Sequence, residues 1–309
     1  MLKFSLLDRA SKLPGESDAQ ALHAVAAHAR HAEELGYHRF LVAEHHAVPG
    51  LPSGQPALLS SFVAQATSTI RVGTAGIMLP TYAPFLVAEQ ALTLAALYGR
   101  VDIGIGSSRG FTAPVRAALR QAAEGDYPAD LRELAAFLAG DAPVTARPQG
   151  SRPGMFILAG PGSAVLAAEL GWGIIVGGPV AVQERAVRAY RSAGGDGQVI
   201  SALNIVVASD AAAARALLLP EAYAQAVARS TGIFAPLEPH PDVAALTEQQ
   251  ARRMNTILDN HVYGTPEDVG ETLRGIAQRL GVEEFLVTGD MPDRAGRAAS
   301  EAMLREKFS

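Results

Sequence analysis

Short apolar runs alternate along this chain with stretches whose apolar residues fall at helical spacing, and this alternation limits the fold more than any other feature. The runs lie at 3–7, 39–43, 70–79, 101–106, 155–159, 174–177, 199–208 and 284–288. They are short for helices and end at Gly, Pro or polar clusters, so each reads as a buried strand. Strands joined through helices pair in parallel, because the helix makes the crossover. Repeated eight times, the unit predicts a single α/β domain over residues 1–309, a (β/α)₈ TIM barrel.

The helices carry their own start and stop signals. Ser17 with Gln20 forms a capping box that opens a helix running to Leu35 and stopping at Gly36. Residues 56–67 are helical in pattern, and Pro84 takes the first turn of a helix with Val87, Ala91, Leu94, Ala95 and Tyr98 on its apolar face and Gly99 as its stop. Further helical patterns cover 113–123, 129–139, 163–170 and 180–192, and Val269, Leu273, Ile276, Ala277 and Leu280 mark the last one. Residues 140–154, rich in Pro and Gly, read as a surface loop. Residues 217–261, with Pro220, Pro236, Pro239 and Pro241, are longer than a crossover needs; they read as a helix plus an insertion that covers one end of the barrel as a lid.

Composition removes several functions. There is no cysteine, hence no disulfide, thiolate nucleophile or Cys-type metal site. The 26 basic and 31 acidic side chains are interspersed, which argues against nucleic acid or an anionic membrane as partner. No apolar run is long enough to span a bilayer, and the first residues lack a secretory signal, so the expected location is the cytoplasm.

Chemistry concentrates at 36–49, where an apolar run ends in Glu44, His45 and His46. In α/β proteins the strand ends carry the chemistry, since loops vary there while the sheet holds them. Alternation points the two imidazoles in different directions, so they are not a matched pair of metal ligands. His46 reads as structural. His23, His28 and His31 share a helix, and His28 and His31 share a face that reads as solvated; no carboxylate cluster joins them, and no metal site is expected. A metal-dependent barrel hydrolase is disfavoured, since no His-x-His follows the first strand.

Residues 35–110 hold Ala43-Glu44-His45-His46, Gly73-Thr74-Ala75-Gly76-Ile77-Met78-Leu79-Pro80, Ala88-Glu89-Gln90 and Gly99-Arg100-Val101-Asp102-Ile103-Gly104-Ile105-Gly106. With Gly160-Pro161-Gly162-Ser163, Ala167-Ala168-Glu169-Leu170-Gly171 and Tyr263-Gly264-Thr265-Pro266-Glu267-Asp268-Val269, the chain resembles the bacterial luciferase-like flavin monooxygenases. The order and spacing of these motifs carry the resemblance, which leaves out mainly 113–154 and 217–260.

The resemblance implies a barrel that uses reduced FMN, delivered by a separate flavin reductase, and dioxygen to oxidise a small organic substrate through a C4a-peroxyflavin, and it implies a homodimer. Other branches of the family use a deazaflavin for hydride transfer, and a paralogue that only binds flavin is a further alternative. His45 aligns with the family's catalytic histidine, a role that suits imidazole because small environmental shifts set its protonation near neutral pH. Glu44 is expected to support it by bonding an imidazole or a backbone group. Ala75-Gly76 falls where relatives hold a non-prolyl cis peptide under the isoalloxazine ring, with Thr74 and Met78 as further wall residues. Gly160, Gly162 and Ser163, at a helix start, suit the phosphate through free N–H groups and the serine hydroxyl. Many relatives carry an arginine directly after the residue equivalent to Gly106. This chain has Ser107 and Ser108 there, so Arg109 is expected to take over, or flavin affinity to be reduced. The substrate cannot be read from the loops.

Overall fold

A computed structural model describes residues 2–110, 112–120 and 125–308. Its strands are β1 (Lys3–Asp8), β2 (Arg39–Val42), β3 (Arg71–Met78), β4 (Val101–Gly106), β5 (Gly154–Leu158), β6 (Gly173–Val176), β7 (Val199–Val207), β8 (Val262–Gly264) and β9 (Glu284–Thr288). The helices are α1 (Asp18–Glu34), α2 (Pro56–Ala66), α3 (Pro84–Tyr98), α4 (Ala113–Ala118), α5 (Tyr127–Ala139), α6 (Pro161–Glu169), α7 (Val180–Ser192), α8 (Ala211–Thr231), α9 (Glu248–Asp259), α10 (Pro266–Leu280) and α11 (Arg294–Lys307).

Strands β1 to β7 and β9 close into an eight-stranded parallel barrel, β9 lying between β7 and β1. The expected (β/α)₈ fold is therefore the observed one. Strand β7 is nine residues long, and its distal part, Ile205 to Val207, pairs with β8 outside the ring. Sequence reading gave no strand at β8 and no helix at α11. The helix expected at 163–170 starts two residues earlier, with Pro161 in its first turn. Of the helix expected at 113–123, Ala113–Ala118 is helical, while residues 121–123 lie outside the described residues.

Strand alternation divides each strand's residues between two cores. Outward-facing Phe4, Phe40, Val72, Ile103 and Ile157 pack beneath the helices. Inside, Leu41, Ala75, Phe156, Ile175, Ile200 and Leu286 form one apolar layer. At the opening residues of the strands, the interior is ionic: Arg39 Nε donates to Glu284 Oε1 at 2.7 Å, Arg71 donates to both oxygens of Asp102, and Arg39 also reaches Asp102. Two guanidiniums are thus paired with two carboxylates at that end of the barrel.

Helix α1 corrects one expectation. His28 is buried, its Nδ1 2.7 Å from Asp8 Oδ2 and its Nε2 2.8 Å from Glu301 Oε1, so it ties α1 to β1 and α11 and is not solvated. Asp8 points outward for the same reason that Ser5, Leu7 and Arg9 point inward. The segment read as an insertion begins inside α8, which packs with α9 on a second apolar core including Leu218, Ala222, Met254 and Leu258. After α8 the chain crosses towards β1 and β2: Phe234 accepts from Gly50 N–H at 3.0 Å, and Leu237 N–H donates to Lys12 at 2.8 Å.

Candidate active site at the barrel mouth

The C-terminal ends of β1 and β2 deliver Arg9, His45 and His46 to one cavity of about 510 Å³. Arg9, His45 and His46 line it together with apolar Val48, Leu51, Val115, Ile233 and Phe234. Burial first, and then the neighbouring Arg9 and His46, bring the His45 imidazole down to about 4. It is thus neutral at physiological pH and presents one donor and one acceptor nitrogen; Nδ1 lies 3.4 Å from the Ser53 hydroxyl.

Glu44 is buried beneath these imidazoles. It accepts the Met78 N–H at 3.0 Å and the Thr81 hydroxyl at 3.2 Å, and its Oε1 lies 2.6 Å from His46 Nε2. It bonds both an imidazole and a backbone group, but the imidazole is His46 rather than His45. His46 lines the cavity as well as bracing Glu44.

The Ala75–Gly76 peptide is cis. Ala75 faces the interior with Leu41 and Phe156, and the pairing with β4 shifts by one residue between Ala75 and Ile77. A Cβ on Gly76 would overlap the Gly104 carbonyl and come 2.9 Å from Leu158 Cδ1, so glycine here serves the close approach of β3 to β4. Thr74 faces outward, fully buried, its hydroxyl donating to the Gly104 carbonyl at 3.1 Å. Met78 stands over Gly106, where a Cβ would come within 2.7 Å of its sulfur.

Across the mouth, Gly160 and Gly162 have open space where a Cβ would stand. The Ser163 hydroxyl accepts the Gly160 N–H at 3.1 Å and so caps α6. The first-turn N–H groups of Gly162 and Ser163 remain for an outside acceptor. Arg109 donates to the Gly125 carbonyl at 2.9 Å, and Ser107 and Ser108 are exposed. Open space over Gly160 and Gly162 and the first-turn N–H donors of α6 fit a phosphate-bearing cofactor.

Sequence reading missed a buried network beside His45. Arg9 forms ion pairs with Glu221 of α8 and with Asp290, at 2.7 Å for the latter, and Glu221 accepts the Asp290 N–H at 2.9 Å. Asn204 donates to His261 Nε2 at 2.8 Å and accepts the Thr288 hydroxyl. Burial raises the Asp290 carboxyl, whereas Arg9 holds Glu221 down against its own burial. Only the alternation Ser5, Leu7, Arg9 could have pointed to the first member. Asn204, His261 and Thr288 line a second cavity of about 610 Å³, which shares Gln225 and Arg229 with the first. Among the described residues no cluster of His, Asp and Glu could hold a metal ion, and no helix is long and apolar enough to cross a membrane.

The family model for luciferase-like monooxygenases matches residues 2–284. Among characterised relatives, the N-acetyl-S-alkylcysteine monooxygenase of Bacillus subtilis is 35% identical over 212 residues, 62% of each chain. The solved apo structure of MsnO8 superposes with a TM-score of 0.85 at 29% identity, covering 100% of this chain and 98% of that one. The oxygenating constituent of 3,6-diketocamphane monooxygenase from Pseudomonas putida, solved with FMN, shares the fold with a TM-score of 0.77 at 16% identity, covering 99% of this chain and 98% of that one. With the model matched over nearly its whole length and the same closed barrel, the chain belongs to the luciferase-like monooxygenase family.

Proposed function

We propose that this chain is a flavin-dependent monooxygenase that takes reduced FMN from a separate flavin reductase and uses dioxygen to oxidise a small organic substrate. The observation that carries this reading is the neutral His45 on the wall of a largely apolar cavity at the barrel mouth. Reduced FMN, when bound, supplies the activation of dioxygen. The protein's part is to bind, orient and exclude water. The N–H groups of Gly162 and Ser163 would hold the phosphate, with Arg109 as the cation on the loop after β4. Ala75 and Gly76 would back the ring through their peptide, while Thr74 contributes only backbone. His45, neutral at pH 7, would give or take a proton at the reacting centre, and Glu44 would position the strand end by holding Met78 and His46. Residues 217–261 would act as the lid, since Ile233 and Phe234 complete the apolar wall.

A homodimer fits the same reading. Leu58 and Phe62 on α2 and Leu86 and Leu97 on α3 are large, apolar and exposed on adjacent helices. A cytoplasmic location remains the expectation.

Anaerobic titration of the protein with reduced FMN and with reduced deazaflavin, followed by oxygen and assay of uptake, tests the reading. Binding of reduced FMN and oxygen uptake coupled to an oxygenated product are expected. Tight deazaflavin binding without oxygen uptake would move the assignment to hydride transfer, flavin binding without oxygen uptake would leave the paralogue that only binds flavin, and binding of neither would make Ser107 the sign of a lost flavin site. His45→Ala should abolish most coupled oxidation while leaving FMN affinity within a few-fold.

A further inference from the structure

The second cavity differs in chemistry from the first. Arg229, Arg252 and Arg253 line it, and none of its lining residues is a carboxylate. Arg252 reaches Glu248 across 3.3 Å on an exposed turn of α9. Arg229 and Arg253 make no hydrogen bond or ion pair with another described residue. Arg9, on the other side of the shared wall, is neutralised by Glu221 and Asp290 and contributes no free charge. A positive lobe thus adjoins an apolar one, with Gln225 and Arg229 facing both.

We infer that the substrate of this site is an amphipathic anion, its apolar portion packed along Val48, Leu51 and Phe234 beside His45 and its carboxylate or equivalent anionic head held by Arg229 and Arg253. Three features support this assignment. A guanidinium pairs with a carboxylate through two parallel hydrogen bonds, which orients the ligand as well as holding it. An apolar wall beside His45 gives the rest of the molecule a place out of water and brings it to the imidazole. Both arginines come from the α8 to α9 segment, so the residues that cover the mouth also read the head group. The inference names the substrate class for the function proposed above and so rests on that reading.

The test uses the full-length protein without flavin, with octanoate and octan-1-ol as probes, followed by calorimetry. Octanoate is expected to bind about tenfold more tightly than octan-1-ol, and Arg229→Ala and Arg253→Ala should each weaken octanoate about tenfold while leaving octan-1-ol unchanged. Arg229→Lys should recover part of the loss. Equal affinity for the two probes, or octanoate binding that survives the double variant, would overturn the inference. So would a loss of reduced-FMN affinity in the arginine variants with octanoate unaffected, since that would make the lobe a cofactor phosphate site. Wild-type protein that binds octanoate selectively but takes up no reduced flavin would sink the monooxygenase reading and leave the anion site standing.

Discussion

Glu44 Oε1 lies 2.6 Å from His46 Nε2, so the carboxylate that ends β2 braces the second imidazole of the pair and not the first. The same carboxylate takes the Met78 N–H, which fixes the end of β3 against the end of β2. His45 Nδ1 lies instead beside the Ser53 hydroxyl, and burial with the neighbouring Arg9 holds its pKa down.

Removing the Glu44 carboxylate should therefore cost stability through β3 before it costs chemistry. In Glu44→Ala the part-buried Met78 N–H loses its acceptor, a penalty of about 1–3 kcal/mol. Glu44→Gln keeps an acceptor for that N–H and should recover most of it. Thermal unfolding of the two variants decides the matter: an alanine variant that melts with the wild type would show that the bond bears no load.

The buried Asp8, His28 and Glu301 group predicts a stability profile with two limbs. Burial and Arg297 push the His28 imidazole down, but Glu301 and Asp8 outweigh them and raise it above 6.5. Its contribution is then full below about pH 6.5 and is lost as pH rises through the raised value. Burial pushes the Asp8 carboxyl up, yet His28 and then Arg297 bring it down to about 2, so its contribution holds above the usual 3.8 and disappears as pH falls towards 2. Urea unfolding at pH 6 and pH 9 should show lower stability at pH 9. His28→Gln should flatten that alkaline loss and cost about 3 kcal/mol at pH 6, because the two buried carboxylates then lose the cation between them and keep only Arg297, 3.9 Å from each. An alkaline limb of wild-type size in the variant would assign it to another group.

The barrel was legible because each of its strands is an apolar run between turn signals, and periodicity reads such runs directly. The failures share a cause. Helix α11 buries Ser300, Glu301 and Leu304, so its inward face carries no apolar stripe to detect. Strand β8 has three residues and exists only because β7 runs past the barrel to meet it. His45 was visible at its strand end. Its environment was not, because Arg9 and Glu221 meet across 212 positions of sequence and nothing local to either encodes the other. The direction of Thr74 was not legible either: alternation turns its side chain outward, and the motif in which it lies says nothing of direction.

Leu58 and Leu97 give the proposed dimer its own test. They are 71% and 65% exposed on α2 and α3, which is more apolar surface than isolated residues explain. Leu58→Glu combined with Leu97→Glu should shift sedimentation from a dimer to a monomer at micromolar concentration without lowering the melting temperature of the monomer. A wild-type protein that sediments as a monomer would remove the dimer outright.

Two glycines separate packing from ligand contact. A Cβ on Gly73 would overlap the Asp102 carbonyl, so Gly73→Ala should cost several kcal/mol or prevent folding, with or without flavin. Gly162 lies in the first turn of α6 with open space where a Cβ would stand, so alanine there should be tolerated and should even stabilise the helix by up to about 1 kcal/mol. If its N–H group holds the FMN phosphate, the added methyl obstructs the close backbone approach that the anion needs. Gly162→Ala should then melt no lower than the wild type while binding reduced FMN about tenfold more weakly. Unchanged FMN affinity in that variant would move the phosphate away from α6, towards the loop after β4 that carries Arg109.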